Sequence, residues 1–194
     1  MRELGNWRHI CVDIQRMFVE DTPWSVPWMA QIMPQMLEVS ERFCEQTIFT
    51  RFIPPQRAED APRGWRAYYE KWWMMTGEHL PKDLVGLVAP LKKLTPPALV
   101  FDKTTYSPWI DGRLFAHLRR HHVESVVVTG GETDVCVLAT VLGAIDLGFR
   151  VTVLSDAVCS GADETHDAAV DLLADRFSVQ LELVSTDEFL LAAS

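Results

Sequence analysis

Six short apolar, β-branched runs alternate with helical patterns along this 194-residue chain, and that alternation constrains the fold more than any other feature. The runs are RHICVDI (8–14), TIFTRFI (47–53), ALVFDK (98–103), ESVVVTG (124–130), RVTVLSDAV (150–158) and SVQLELV (178–184). Helical spacing marks 27–46, with Pro34 inside it as a site for a kink, then 111–121, 134–147 and 163–176. STDEFLLAA (185–193) reads as a terminal helix with a Ser or Thr cap. Strands apolar on both faces, separated by helices, predict an α/β fold with a parallel sheet covered on both sides. Ligands of such sheets bind beyond the carboxyl ends of the strands.

The length suits one well-cored domain spanning 1–194. The Pro-, Trp- and Met-rich stretch at about 54–95 breaks the pattern and reads as an elaborated, cap-like connection over the site. Net charge is −9, which argues against nucleic acid as a partner, because phosphate binding needs a basic face. Apolar stretches are too short and too interrupted for a membrane span, and no signal-type apolar core precedes the first strand. Cys11, Cys44, Cys136 and Cys159 fit no zinc spacing, so they are expected as reduced thiols in a cytoplasm.

Three ionisable residues fall at three strand ends: Asp13, Lys103 and Cys136. In a parallel sheet those ends share one rim. Thr133 is expected to cap the helix that follows VVVTGG, which puts Cys136 in its first turn. There the helix dipole and free backbone N–H groups favour a thiolate, and they could also hold an oxyanion. Gly130 and Gly131 allow the sharp turn between strand and helix. A carboxylate can take the thiol proton and return it to a leaving amine, while an adjacent cation steadies the pair.

These residues carry a resemblance. CVDIQRMF, FDKTTYSPWIDGRLFAHLRRHHVESVVVTG and GGETDVCVLATVLGAIDLGFRVTVLSDAV resemble, in order, the first-strand, lysine and cysteine motifs of the isochorismatase-like cysteine hydrolases. That superfamily includes nicotinamidase and N-carbamoylsarcosine amidase. The resemblance runs from about residue 8 to 190 and leaves out only 54–95. It implies a three-layer α-β-α sandwich, Rossmann-like, with a six-stranded parallel sheet. It implies Cys136 as nucleophile, Asp13 as general base and then acid, and Lys103 as electrostatic partner. It also implies a non-proline cis peptide at Gly131–Glu132, with the Glu132 and Cys136 N–H groups as an oxyanion hole. Many relatives have a small apolar residue where this chain has Glu132.

Phe18, Trp24, Tyr106 and Trp109 are expected to wall a small pocket, with Phe18 and Trp109 supported by the motif match. Arg51 could bind a substrate carboxylate or form a structural ion pair, and Thr133 sits beside the nucleophile as a further substrate-binding candidate. Trp72 and Trp73 could cover the site or form a subunit contact. Cys159 is the rival nucleophile, without a helix start. FTRFIPPQ lacks the Asp-x-His pattern of metal-bearing nicotinamidases, so no metal and no cofactor are expected. DETHD (163–167) reads as helix capping, and His121 and His122 as helix-end cations. The expected activity is hydrolysis of a C–N bond in a small amide, carbamoyl or ureide by a cytoplasmic homodimer or homotetramer. The alternatives are a non-hydrolytic thiol redox or binding protein, or vinyl-ether hydrolysis of the isochorismatase type.

Overall fold

A computed structural model of the protein describes residues 3–193; Met1, Arg2 and Ser194, the ends of the expected 1–194 span, lie outside it. The elements follow in the order β1 (Trp7–Val12), α1 (Arg16–Val19), α2 (Met29–Arg42), β2 (Thr47–Phe52), α3 (Arg63–Lys71), α4 (Ala89–Lys92) and β3 (Leu99–Lys103). Then come α5 (Arg113–Arg120), β4 (Ser125–Gly131), α6 (Leu138–Asp146), β5 (Arg150–Cys159), α7 (Asp163–Arg176), β6 (Leu181–Val184) and α8 (Thr186–Ala192). The six strands form one parallel sheet in the order β3-β2-β1-β4-β5-β6.

Period-two side-chain alternation builds both helical layers. Cys11, Phe49, Val127 and Leu154 point into one core with Met36 and Val39 of α2, Leu91 of α4 and Phe189 of α8. Their neighbours Ile10, Val12, Ile48, Val126, Val128 and Val153 point into the other, with Leu118 of α5, Val141 of α6 and Leu173 of α7. This is the three-layer sandwich expected from the resemblance. Ser185 caps α8, accepting from the Glu188 amide while Glu188 bonds back to the Ser185 amide.

Strand order reverses between β1 and β4, and the crevice of an open α/β sheet lies at that reversal. Val12 and Gly130 are register partners there, and Gly130 has φ 113°; any Cβ on it would collide with the Val12 backbone. The glycine therefore lets β1 and β4 stay paired up to the rim. The 54–95 connection folds as α3, α4 and three single 3₁₀ turns. Gln15 ties it to the sheet: its Nε2 donates to Phe52 O at 3.0 Å and Val85 O at 2.8 Å, and its Oε1 accepts from Phe52 N at 2.6 Å.

His9 is buried between the Thr47 and Thr129 hydroxyls, at 3.1 and 2.8 Å. Burial pulls its pKa from 6.5 down to about 3, so the folded protein holds it neutral while the unfolded chain protonates it below 6.5. Stability from this group is complete above pH 6.5 and falls as the pH drops toward 3. The expected loss is about 2 kcal/mol between pH 6.5 and about 5. Urea denaturation of wild type and His9→Gln across that range checks it: the variant should lose that share of the slope, and equal slopes would contradict it.

Candidate active site

Asp13 follows β1 with φ 55°, in the left-handed region. Its backbone N–H donates to Thr50 Oγ1 at 3.2 Å, and Thr50 Oγ1 donates to Asp13 Oδ1 at 2.6 Å, which fixes the carboxylate. Lys103, the last residue of β3, reaches Asp13 Oδ2 at 2.6 Å; the side chains are 4% and 1% exposed. Its Nζ also donates to Thr105 O at 3.1 Å and Tyr106 O at 2.9 Å, and lies 3.5 Å from Cys136 Sγ. The three strand-end groups therefore meet in one buried cluster.

The chain leaves β4 through a cis Gly131–Glu132 peptide, at the bond the resemblance implied. The turn that follows differs from expectation. Thr133–Val137 is wound as a π-helix, Glu132 holds the N-cap position, and no side chain caps it. Thr133 is buried and bonds His166 Nδ1 at 3.0 Å, so it is neither the cap nor a wall of the pocket. The wider turn leads into α6, and Cys136 is buried within it.

Burial pushes the Cys136 thiol well above its ordinary pKa, and the Asp13 carboxylate, which accepts a hydrogen bond from it, adds to the rise; Lys103 opposes both. The thiol is thus protonated at rest, against the expectation of a dipole-stabilised thiolate. Burial pulls the Lys103 pKa down, but the Asp13 charge and the hydrogen bonds to Asp13 and Cys136 outweigh it and leave the pKa above its ordinary value. The cluster is an ammonium, a carboxylate and a thiol whose proton the carboxylate is placed to take.

A cavity of ≈ 330 Å³ opens above Cys136. Phe18, Trp24 and Tyr106 line it. Phe52, Tyr68, Trp72, Val135, Pro23 and Glu132 complete the wall. Trp24 stacks on Phe18 at 6.2 Å and 12°, and packs against Tyr68 at 5.8 Å and Phe52 at 5.9 Å. Trp73 lies exposed against His79 rather than over the cavity.

Besides Thr133, two more substrate-binding candidates lie elsewhere. Arg51 sits opposite its register partner Asp102 on β3 and pairs with it bidentately at 2.7 and 2.8 Å, the structural alternative. Trp109 is buried behind the site: a side chain on Gly143 of α6 would run into its ring, and its Nε1 donates to Thr140 O at 2.9 Å. Thr140 Oγ1 donates in turn to Cys136 O at 2.7 Å, so Thr140 links Trp109 to the turn that carries Cys136.

Cys159 ends β5 in a neighbouring cavity of ≈ 520 Å³, with its Sγ 3.9 Å from Met29 Sδ. Burial pushes its thiol up to about 12, with the Glu132 charge adding to the rise. The DETHD stretch opens α7 with Asp163 and Glu164 in the first turn, but Ala162 is the N-cap and no side-chain cap forms. Among the described residues no three His, Cys, Asp or Glu side chains are grouped to hold a metal, and no helix is long and apolar enough to cross a membrane.

A sequence model described as the isochorismatase domain matches residues 9–185. PncA, an isochorismatase family protein of Bacillus subtilis, is 33% identical over 103 residues, which cover 52% of this chain and 56% of the relative. Nicotinamidase 3 of Arabidopsis thaliana is 34% identical over 86 residues, 44% of this chain and 43% of that protein. The chain thus spans about half the length of these curated relatives. A crystal structure of a cysteine hydrolase from Pseudomonas syringae superposes with a TM-score of 0.84, covering 98% of this chain and 93% of the other at 21% identity, a likeness of fold.

Proposed function

The chain belongs to the isochorismatase family, and on that premise we propose that it is a cytoplasmic, cysteine-dependent amidohydrolase. It cleaves the C–N bond of a small amide, carbamoyl or ureide through a thioester. The observation that carries this reading is the triple contact at the rim: Lys103 Nζ lies 2.6 Å from Asp13 Oδ2 and 3.5 Å from Cys136 Sγ.

Asp13 accepts the thiol proton as Cys136 Sγ bonds to the substrate carbonyl carbon, and the carbonyl electron pair moves onto oxygen. The Glu132 and Cys136 backbone N–H groups hold that oxyanion. Collapse of the adduct breaks the C–N bond, and Asp13 passes its proton to the leaving amine. A water molecule deprotonated by Asp13 then attacks the thioester, releasing the acid and restoring the thiol. Lys103 keeps the carboxylate in place and offsets the charge that builds on sulfur. No metal or cofactor enters the scheme.

A redox-sensing thiol is the weaker reading, because a buried, protonated thiol reacts slowly with oxidants. Vinyl-ether hydrolysis would leave Cys136 without a task. Cys159 is the weaker candidate for nucleophile, since the Asp13–Lys103 pair stands at Cys136. A homodimer or homotetramer belongs to the reading, supported by the exposed Leu99 and Val100 on the edge strand β3.

Ammonia release from nicotinamide, N-carbamoyl amino acids, biuret-like ureides and maleamate-like acids tests the reading. Nicotinamide is on the panel because two relatives are named nicotinamidases. Turnover of at least one amide or ureide is expected. A protein silent on amides and ureides but active on a vinyl ether would overturn it.

A further inference from the structure

Among the described residues, Glu132 is the one charged side chain in the wall of the cavity above Cys136. It is half-buried. The Gly161 backbone N–H donates to its carboxylate. Its charge reaches across the cavity, raising the Tyr68 and Tyr106 hydroxyls, each of which is raised chiefly by burial. Burial raises Glu132 itself above the usual carboxylate range, with the charge of Asp134 next in size, so its ionised form lacks a counter-charge.

Six aromatic side chains make up most of the remaining wall: Phe18, Trp24, Phe52, Tyr68, Trp72 and Tyr106. Aromatic faces carry negative potential and attract cations. Lys103 offers no help to an anion, because Asp13, Thr105 O and Tyr106 O already take up its ammonium. Arg51, the expected carboxylate binder, is paired with Asp102. Among the described residues, no Arg, Lys or His lines the cavity. A substrate carboxylate would meet Glu132 and ring faces with no partner, whereas a substrate cation would meet a carboxylate and an aromatic wall together.

We propose that this pocket selects an amide or ureide that carries a positive charge away from its scissile bond, with Glu132 as the specificity-determining residue. The inference rests on the hydrolase reading for the scissile bond but not for the charge preference, which binding alone can read. Three primary amides on one benzamide frame separate the cases: 4-(aminomethyl)benzamide is cationic at neutral pH, benzamide neutral and 4-carbamoylbenzoate anionic. Their binding is measured by tryptophan fluorescence titration on Cys136→Ala, which removes the reactive sulfur, and their hydrolysis by ammonia release from wild type.

The cation is expected to bind at least about tenfold tighter than benzamide, and the anion weakest. Glu132→Gln in the Cys136→Ala background should shrink the cation's advantage to within a few-fold, with thermal melting checking that the double variant is folded. Equal binding of the three, preference for the anion, or no binding by any of them overturns the proposal. A cation preference that survives Glu132→Gln overturns the assignment to Glu132. Cation binding without ammonia release by wild type would sink the hydrolase reading and leave the charge preference standing. Hydrolysis of benzamide or the carbamoylbenzoate with no cation preference would do the reverse.

Discussion

Replacing Lys103 by Met is expected to destabilise the protein by about 3–5 kcal/mol and to abolish amide hydrolysis. The Lys103 and Asp13 side chains are 4% and 1% exposed, so removing the ammonium leaves a buried carboxylate without its counter-charge. The Thr50 hydroxyl still bonds one oxygen, which does not balance the charge. The same loss leaves the carboxylate that takes the thiol proton without the cation that holds it in place. Loss of stability and loss of rate thus share one cause. The Asp13→Asn, Lys103→Met double variant separates them. Neutralising both partners should recover most of the stability, since a buried pair contributes little beyond its own desolvation cost. Rate should stay at background, because no base remains. Chemical denaturation and ammonia release on the two variants check both halves. A double variant as unstable as the single one would contradict the electrostatic account.

Cys136→Ala is expected to keep the fold and lose the reaction. Its Sγ is buried and makes the 3.5 Å contact with Lys103, but the Asp13–Lys103 pair does not depend on it. Thr140 bonds the Cys136 carbonyl, a backbone group that the substitution leaves in place. Losing one small side chain beside a cavity should cost about 1 kcal/mol, and removal of the Cys136 contribution should leave the ion pair intact. The rate should fall by at least about 10³, as expected when a covalent nucleophile is removed. A melting temperature within a few degrees of wild type would show that the rate loss is chemical.

Much of this arrangement was legible in the sequence, for identifiable reasons. The strands read correctly because runs such as ESVVVTG are apolar on both faces, which only a covered parallel sheet produces. Asp13, Lys103 and Cys136 were found together because strand ends share a rim, although their contact distances had to come from the fold. Arg51 stood open between a substrate carboxylate and an ion pair because the pairing of β2 with β3, which sets Asp102 opposite it, cannot be read from periodicity. Trp109 was misplaced because an indole suits a pocket wall and a packing site equally; the bare Gly143 surface it covers lies more than thirty residues away in sequence. Thr133 follows the usual pattern of a helix cap, but the chain opens in a π turn and the hydroxyl turns to His166. Trp72 was a candidate cover for the site, whereas Tyr68 sits on α3, a helix too short to mark its face by periodicity. Thr50 left only one faint signal, a hydroxyl in an otherwise apolar strand next to the one bearing Asp13.

Cys136 as the nucleophile is the central claim, and one rate comparison tests it most directly. Ammonia release is measured with wild type, Cys136→Ala and Cys159→Ala on the best amide of the panel, at equal folded protein. The account predicts that Cys136→Ala falls to the rate without enzyme while Cys159→Ala stays close to wild type. Ammonia release by Cys136→Ala at a rate near wild type would contradict it.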